Sequence, residues 1–225
     1  MNIAVLADIH SNLVAFQAVL DAAKKRNISR FIIAGDFVGY GPRPNEVVDT
    51  VKGIDATSIR GNHDRAVVDH DYSWMNPYAA EAAKWTAKSL RNKNVDWLKT
   101  LGPSEVFEVE GRRIGLYHGS PEDPDEYVFD ESRAEQLLAR SDCDIVICGH
   151  THVPMRVAKK GKIFLNPGAV GQPRDGDPRA AFMEIDTGSM RASLRRVEYS
   201  IEITQEDMRL QCLPKPLIDR LSSGL

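Results

Sequence analysis

Five of the six histidines in this 225-residue sequence fall in short polar segments beside expected strand ends. The segments are Asp8-Ile9-His10, Gly35-Asp36, Gly61-Asn62-His63-Asp64, His118-Gly119 and Gly149-His150-Thr151-His152. Each follows an apolar run, at residues 3–7, 31–34, 57–59, 114–117 and 145–148. Imidazole, carboxylate and amide oxygen are ligands for Zn, Mn, Fe, Co or Ni rather than for a thiolate-selective ion. Asp8 and His10 are two apart, as are His150 and His152. In extended backbone such residues project to one side, so each pair is expected to serve one metal centre or two neighbouring ones. A single strand-end aspartate is ordinarily a cap or turn residue. Carboxylate, amide and imidazole groups after five successive strands call for a common explanation. His70 has no such context and reads as a solvated loop residue.

Strands that aim five loops at one place need a particular topology. The apolar runs 3–7 and 31–34 read as buried strands, and 57–59 as a third. Between the first two, Asn12 can cap a helix carrying Leu13, Phe16, Leu20 and Ala23 at helical spacing, with Lys24, Lys25 and Arg26 at its end. Pro44 can open a second helix, running to about Lys52. This β-α-β-α-β opening predicts parallel strands in an α/β fold, with ligands at the carboxyl ends of the strands. Residues 77–101 are alanine-rich and read as helical, with Trp85 and Trp97 as packing anchors. Residues 106–117 read as a hairpin turning near Glu110-Gly111. A helix over 131–140, a strand over 144–148 and a second hairpin at Lys160-Gly161 follow. Two late strands, 181–185 and 192–197, flank Thr187-Gly188, and the last twenty-odd residues read as a peripheral helix and tail. Early parallel strands and late hairpins predict two packed sheets with helices outside. Residues 1–225 are expected to form one domain, with a helical insertion near 66–103.

The composition fits a globular protein, with 42% hydrophobic and 27% charged residues. A net charge of −3 does not advertise duplex nucleic-acid binding. Three cysteines at irregular spacing are no disulfide framework, and Cys148 is expected in the core. No apolar run reaches the length of a membrane span, and residues 2–6 enter a strand pattern without a basic leader. A cytoplasmic protein is expected, with no membrane partner.

Asp-x-His, Gly-Asp, Gly-Asn-His-Asp, His and Gly-His-x-His, in that order from Asp8 to His152, resemble the calcineurin-like metallophosphoesterases. The run from Asn166 to Arg174 resembles a loop of their small prokaryotic members. The resemblance implies a four-layer α-β-β-α sandwich and two divalent metal ions, one held by Asp8, His10 and His152 and the other by Asn62, His118 and His150. It implies that Asp36 bridges them, and that a water they share attacks phosphorus as hydroxide. His63 would then be the general acid, oriented by Asp64. The substrate would be a small phosphate ester.

The protein serine/threonine phosphatases of this superfamily carry Gly-Asp-x-Val-Asp-Arg-Gly at the second motif; here Gly39 and Tyr40 replace the aspartate and arginine. The missing guanidinium fork favours a phosphodiesterase over a protein-phosphatase-like phosphomonoesterase. Arg60, Arg174 and Tyr40 are candidate substrate contacts. Tyr72, Trp74 and Tyr78 are either core packing or an aromatic wall for a flat group. A non-catalytic scaffold should have lost ligands, and this chain retains the whole set.

Overall fold

The computed structural model describes residues 1–225. One sheet has the order β10-β9-β1-β2-β3. It comprises β1 (Asn2–Leu6), β2 (Arg30–Ile33), β3 (Asp55–Ser58), β9 (Ala180–Asp186) and β10 (Arg191–Val197). The other runs β4-β5-β6-β8-β7. Its strands are β4 (Ser104–Val109), β5 (Arg112–Tyr117), β6 (Ile145–Ile147), β7 (Met155–Lys159) and β8 (Lys162–Asn166). In the first sheet β1, β2 and β3 pair in parallel, with β3 at one edge, while β9 pairs antiparallel with β1 and β10 antiparallel with β9. In the second the three central strands are parallel and the two edge strands antiparallel. Eight helices flank the two mixed sheets. The fold is the four-layer α/β sandwich expected.

The unbroken apolar runs are explained by burial on both faces. Along β1, Ala4 and Leu6 face α1 (Leu13–Lys25) and α2 (Pro44–Lys52), whereas Ile3 and Val5 face the second sheet. There they join Ile32, Ile114, Leu116, Ile145, Ile147 and Leu165 in a layer between the sheets. The outer face of the second sheet packs Val146, Cys148 and Phe164 against α6 (Glu131–Arg140). Both expected hairpin turns form, with Glu110-Gly111 and Lys160-Gly161 all at positive φ, the backbone that matches strand twist.

Three segments depart from expectation. Residues 77–101 form two helices, α4 (Pro77–Ser89) and α5 (Asn92–Thr100). Leu90 turns into the core, and the Asn45 side chain takes the break's free groups, accepting from Arg91 N and donating to Ser89 O. Asn62, His63 and Asp64 are not in a loop but form the first turn of α3 (Asn62–Asp69). The C-terminal residues, expected at the periphery, form α7 (Ile201–Leu210), α8 (Lys215–Asp219) and a 3₁₀ turn. They bury Met208, Leu213, Leu217 and Leu221 against Tyr40. No helix is long and apolar enough to cross a membrane.

Candidate metal centre and active site

The loops after β1, β2, β3, β5 and β6 converge at one end of the sandwich, three from one sheet and two from the other. Backbone bonds zip them together. Asp8, His10 and Ser11 N–H donate to Gly35, Asp36 and Phe37 carbonyls at 3.1, 2.9 and 2.8 Å, and Gly149 N–H donates to His118 O at 2.8 Å. Asp8, His10, Asp36, Tyr40, His150 and His152 all adopt left-handed backbone, with φ between 43° and 69°. Such conformations cost about 1–3 kcal/mol each and persist where surroundings over-determine them, often at functional sites. They also correct the extended-backbone argument: Asp8 with His10, and His150 with His152, are aimed inward by tight loops.

The imidazole tautomers follow from carbonyls, which can only accept. His10 Nδ1 donates to Val38 O (3.1 Å), His152 Nδ1 to Gln172 O (2.5 Å) and His118 Nδ1 to Ala34 O (2.7 Å). In the neutral rings each Nε2 therefore presents a lone pair inward. His10 Nε2 and His152 Nε2 face one another at 3.1 Å, with Asp8 Oδ1 3.5 Å from His152 and Asp36 Oδ2 3.5 Å from His10. On the other side, His118 Nε2 meets Asn62 Oδ1 (2.7 Å), His150 Nδ1 (3.1 Å) and Asp36 Oδ2 (3.4 Å). Asp8 Oδ1 and His150 Nε2 are buried without a partner. Acceptors converging on acceptors are repulsive unless a cation lies among them. Asp8, His10 and His152 have ligand atoms within 4.8 Å of one another, as do Asp8, Asp36 and His118. The donor set fits divalent metal ions. At His118 a proton can stand in for the cation: burial opposes charge on the ring, but Asp36 and Asp8 raise its pKa to about 10, and a metal ion held at its Nε2 would displace that proton. Burial likewise opposes ionisation of Asp36, yet His118, His63 and His10 hold its carboxyl well below the usual range.

His63 lines the same cleft, with Asp36, Tyr40, Asn62, Tyr127, His150, His152 and Arg174. Its Nδ1 is buried and unpartnered. The expected contact with Asp64 is absent. Asp64 accepts instead from three backbone amides, those of Asp36, Gly61 and Val38 at 2.9, 2.9 and 3.0 Å. The reason is helical: Asp64 is third in α3, where a carboxylate turns back to the free N–H groups, while the His63 ring projects elsewhere around the axis. His63 is oriented by packing, with Tyr40 and His10 ring centroids at 4.4 and 4.8 Å. Burial lowers its pKa to about 4, so it is neutral before substrate enters. It also stands within 4.8 Å of His10 and Asp36. A Cβ on Gly39, which has φ +94°, would lie 2.5 Å from His63 Nδ1. The aspartate of the protein-phosphatase motif therefore has no room here.

Arg174 Nη2 donates to Tyr40 Oη (3.2 Å) and Gln172 Oε1 (3.0 Å), and its guanidinium lies 5.6 Å from the Tyr40 ring centre. Arg60 does not line the cleft. Tyr72 is partly buried in the core, and Trp74 and Tyr78 are exposed. None of these three aromatics lines the cleft; Tyr127 does, with its ring centre 3.8 Å from that of His150. The sequence reading missed it because Glu126-Tyr127-Val128-Phe129 lies in an irregular segment with no motif spacing.

Residues 1–188 match the model of the calcineurin-like phosphoesterase superfamily domain. The chain belongs to that superfamily. An uncharacterized protein of Methanocaldococcus jannaschii is 35% identical, over 99% of this chain and 98% of its own. The phosphodiesterase YfcE of Escherichia coli K12 is 26% identical, over 79% and 84%. The crystal structure of a metallophosphoesterase from Sphaerobacter thermophilus superposes with a TM-score of 0.87 at 35% identity, covering 100% of this chain and 99% of that one. This calcineurin-like phosphoesterase thus has the fold of a phosphoester hydrolase, and clusters of buried His and Asp that can bind metal.

Proposed function

We propose that the protein is a dinuclear metal-dependent phosphodiesterase. The observation that carries this is the convergence of inward-facing imidazole nitrogens and carboxylate oxygens in two adjoining groups. Asp8, His10 and His152 would hold one ion, Asn62, His118 and His150 the other, and Asp36 lies between the groups and would serve both. When bound, two such ions activate a water and neutralise charge on the phosphoryl oxygens. Arg174, whose hydrogen bonds go to Tyr40 and Gln172 and whose Nε has no partner, adds a cation for the non-bridging oxygens, and Tyr40 holds it there. His63, facing the cleft, would take up a proton as the anionic phosphate enters beside it and pass that proton to the leaving oxygen. The YfcE relative is a phosphodiesterase, and the closed space at Gly39 disfavours the protein-phosphatase arrangement.

The test is turnover of bis-p-nitrophenyl phosphate after chelation and reconstitution with Mn, Fe, Zn, Co or Ni, beside phosphoserine peptides. Restored activity with kcat/KM for the diester at least equal to that for peptides is expected. A folded sample inactive with every ion overturns the enzyme reading; a clear preference for peptides overturns the diesterase one.

A further inference from the structure

Beside the candidate metal centre the surface carries an uncommon feature. Tyr127 and Phe129 are 51% and 60% exposed. Neither belongs to a hydrophobic cluster, whereas Val128 between them is buried beneath α6. Alternation throws both rings to the outside, where they stack in parallel, 7° between planes and 5.8 Å between centres. Tyr127 also lies against His150, so the column runs His150, Tyr127, Phe129, from the candidate metal centre outward. Its outer end is open.

The segment is held from both sides. Arg65, two residues after His63, grips Asp125 with both carboxylate oxygens at 2.7 and 2.8 Å. Asp130 caps α6 by accepting from Ser132 N–H at 2.8 Å. The rings are therefore pre-ordered, which removes part of the entropy cost of binding.

Two exposed, parallel, pre-ordered rings continuous with a phosphate-ester cleft fit a flat π-system better than an aliphatic chain. Phosphate esters that carry a flat heteroaromatic group are above all nucleotides. Building on the phosphoesterase reading, we propose that Tyr127 and Phe129 form a stacking platform for a nucleobase, making the substrate a nucleoside-containing phosphate ester. Stacking of this kind tolerates any base, so the platform selects for the presence of a base and not its identity.

Product-like ligands test this without turnover. Adenosine 5′-monophosphate and ribose 5-phosphate are titrated calorimetrically into Mn²⁺-loaded protein, and into Phe129→Ala, Phe129→Leu and Phe129→Trp. Adenosine monophosphate should bind about 5- to 100-fold more tightly than ribose 5-phosphate. Phe129→Ala and Phe129→Leu should narrow that gap, Phe129→Trp should keep it, and ribose 5-phosphate should be unmoved in all. Phe129 is exposed, with Tyr127 standing between it and His150, so the variants should fold and hold metal. Equal affinities in the native protein, or a gap indifferent to Phe129, overturn the platform. So does a dimer that Phe129→Ala dissociates while ligand affinities stay constant. Failure of both compounds to bind overturns the platform alone, since the phosphoesterase reading stands or falls on diester turnover.

Discussion

At the scale of single residues, the proposed bridging role of Asp36 is the sharpest claim. Its Oδ2 lies 3.5 Å from His10 and 3.4 Å from His118, members of the two groups. Its Oδ1 accepts from His63 N–H at 2.8 Å. Asp36→Asn removes charge from both positions and should lower metal content toward zero. His10→Ala should lower it by about one ion per chain. Elemental analysis decides, and an Asp36→Asn protein that retains two ions would refute the bridge. His63 makes a separate prediction. General acid catalysis contributes about 10²–10⁴-fold, and more where the leaving oxygen is basic. His63→Ala should keep both metals, lower kcat strongly for alkyl esters and lower it less for nitrophenyl esters. Lost metal would make His63 a ligand, as its approach to His10 and Asp36 permits. Equal losses for both leaving groups would make it a phosphate-orienting residue.

At the scale of elements, the cap of α1 links the candidate ligand loops to the C-terminal helices through one side chain. Asn12 accepts from Ala15 N–H (3.1 Å) and Thr204 Oγ1 (3.0 Å), and donates to Gly171 O (2.9 Å). Loss of an N-cap costs about 0.5–2 kcal/mol. The Gly171 contact bears on the loop carrying Gln172 and Arg174, and Gln172 O holds the His152 tautomer. Asn12→Ala should therefore lower stability by at least that amount in urea melts and also weaken metal retention. Asn12→Asp, which keeps the cap but cannot donate to Gly171 O, should preserve α1 and still weaken retention. A purely local cap would leave metal affinity unchanged in both.

At the scale of the molecule, the candidate ligands come from both sheets: Asp8, His10, Asp36 and Asn62 follow strands of one, and His118, His150 and His152 strands of the other. Ions held there would staple the two sheets at their carboxyl ends. An ion at 100 times its Kd adds about 2.7 kcal/mol to the folded state. Chelated protein should therefore melt at a lower temperature than reconstituted protein in one cooperative transition, checked by calorimetry. A loss confined to a local, non-cooperative shoulder would show that the sheets are held by their shared apolar layer alone.

The sequence by itself determined the ten-strand framework and the residues that meet at one end, because apolar runs buried on both faces and the polar segments after them are local signals. Both hairpin turns were likewise written in their Gly-containing dipeptides. What only the tertiary structure decided is how those residues face. The left-handed loops at Asp8, His10, His150 and His152 depend on hydrogen bonds to neighbouring strands. Asp64 looked like a partner for His63 by adjacency, but its place in the first turn of α3 turns it to backbone amides. Tyr127 and the packed C-terminal helices carried no spacing to announce them. Their positions arise from contacts across the chain, such as Arg65 with Asp125 and Leu221 with Tyr40. Pairings of that separation in sequence exist only once the sheets have closed.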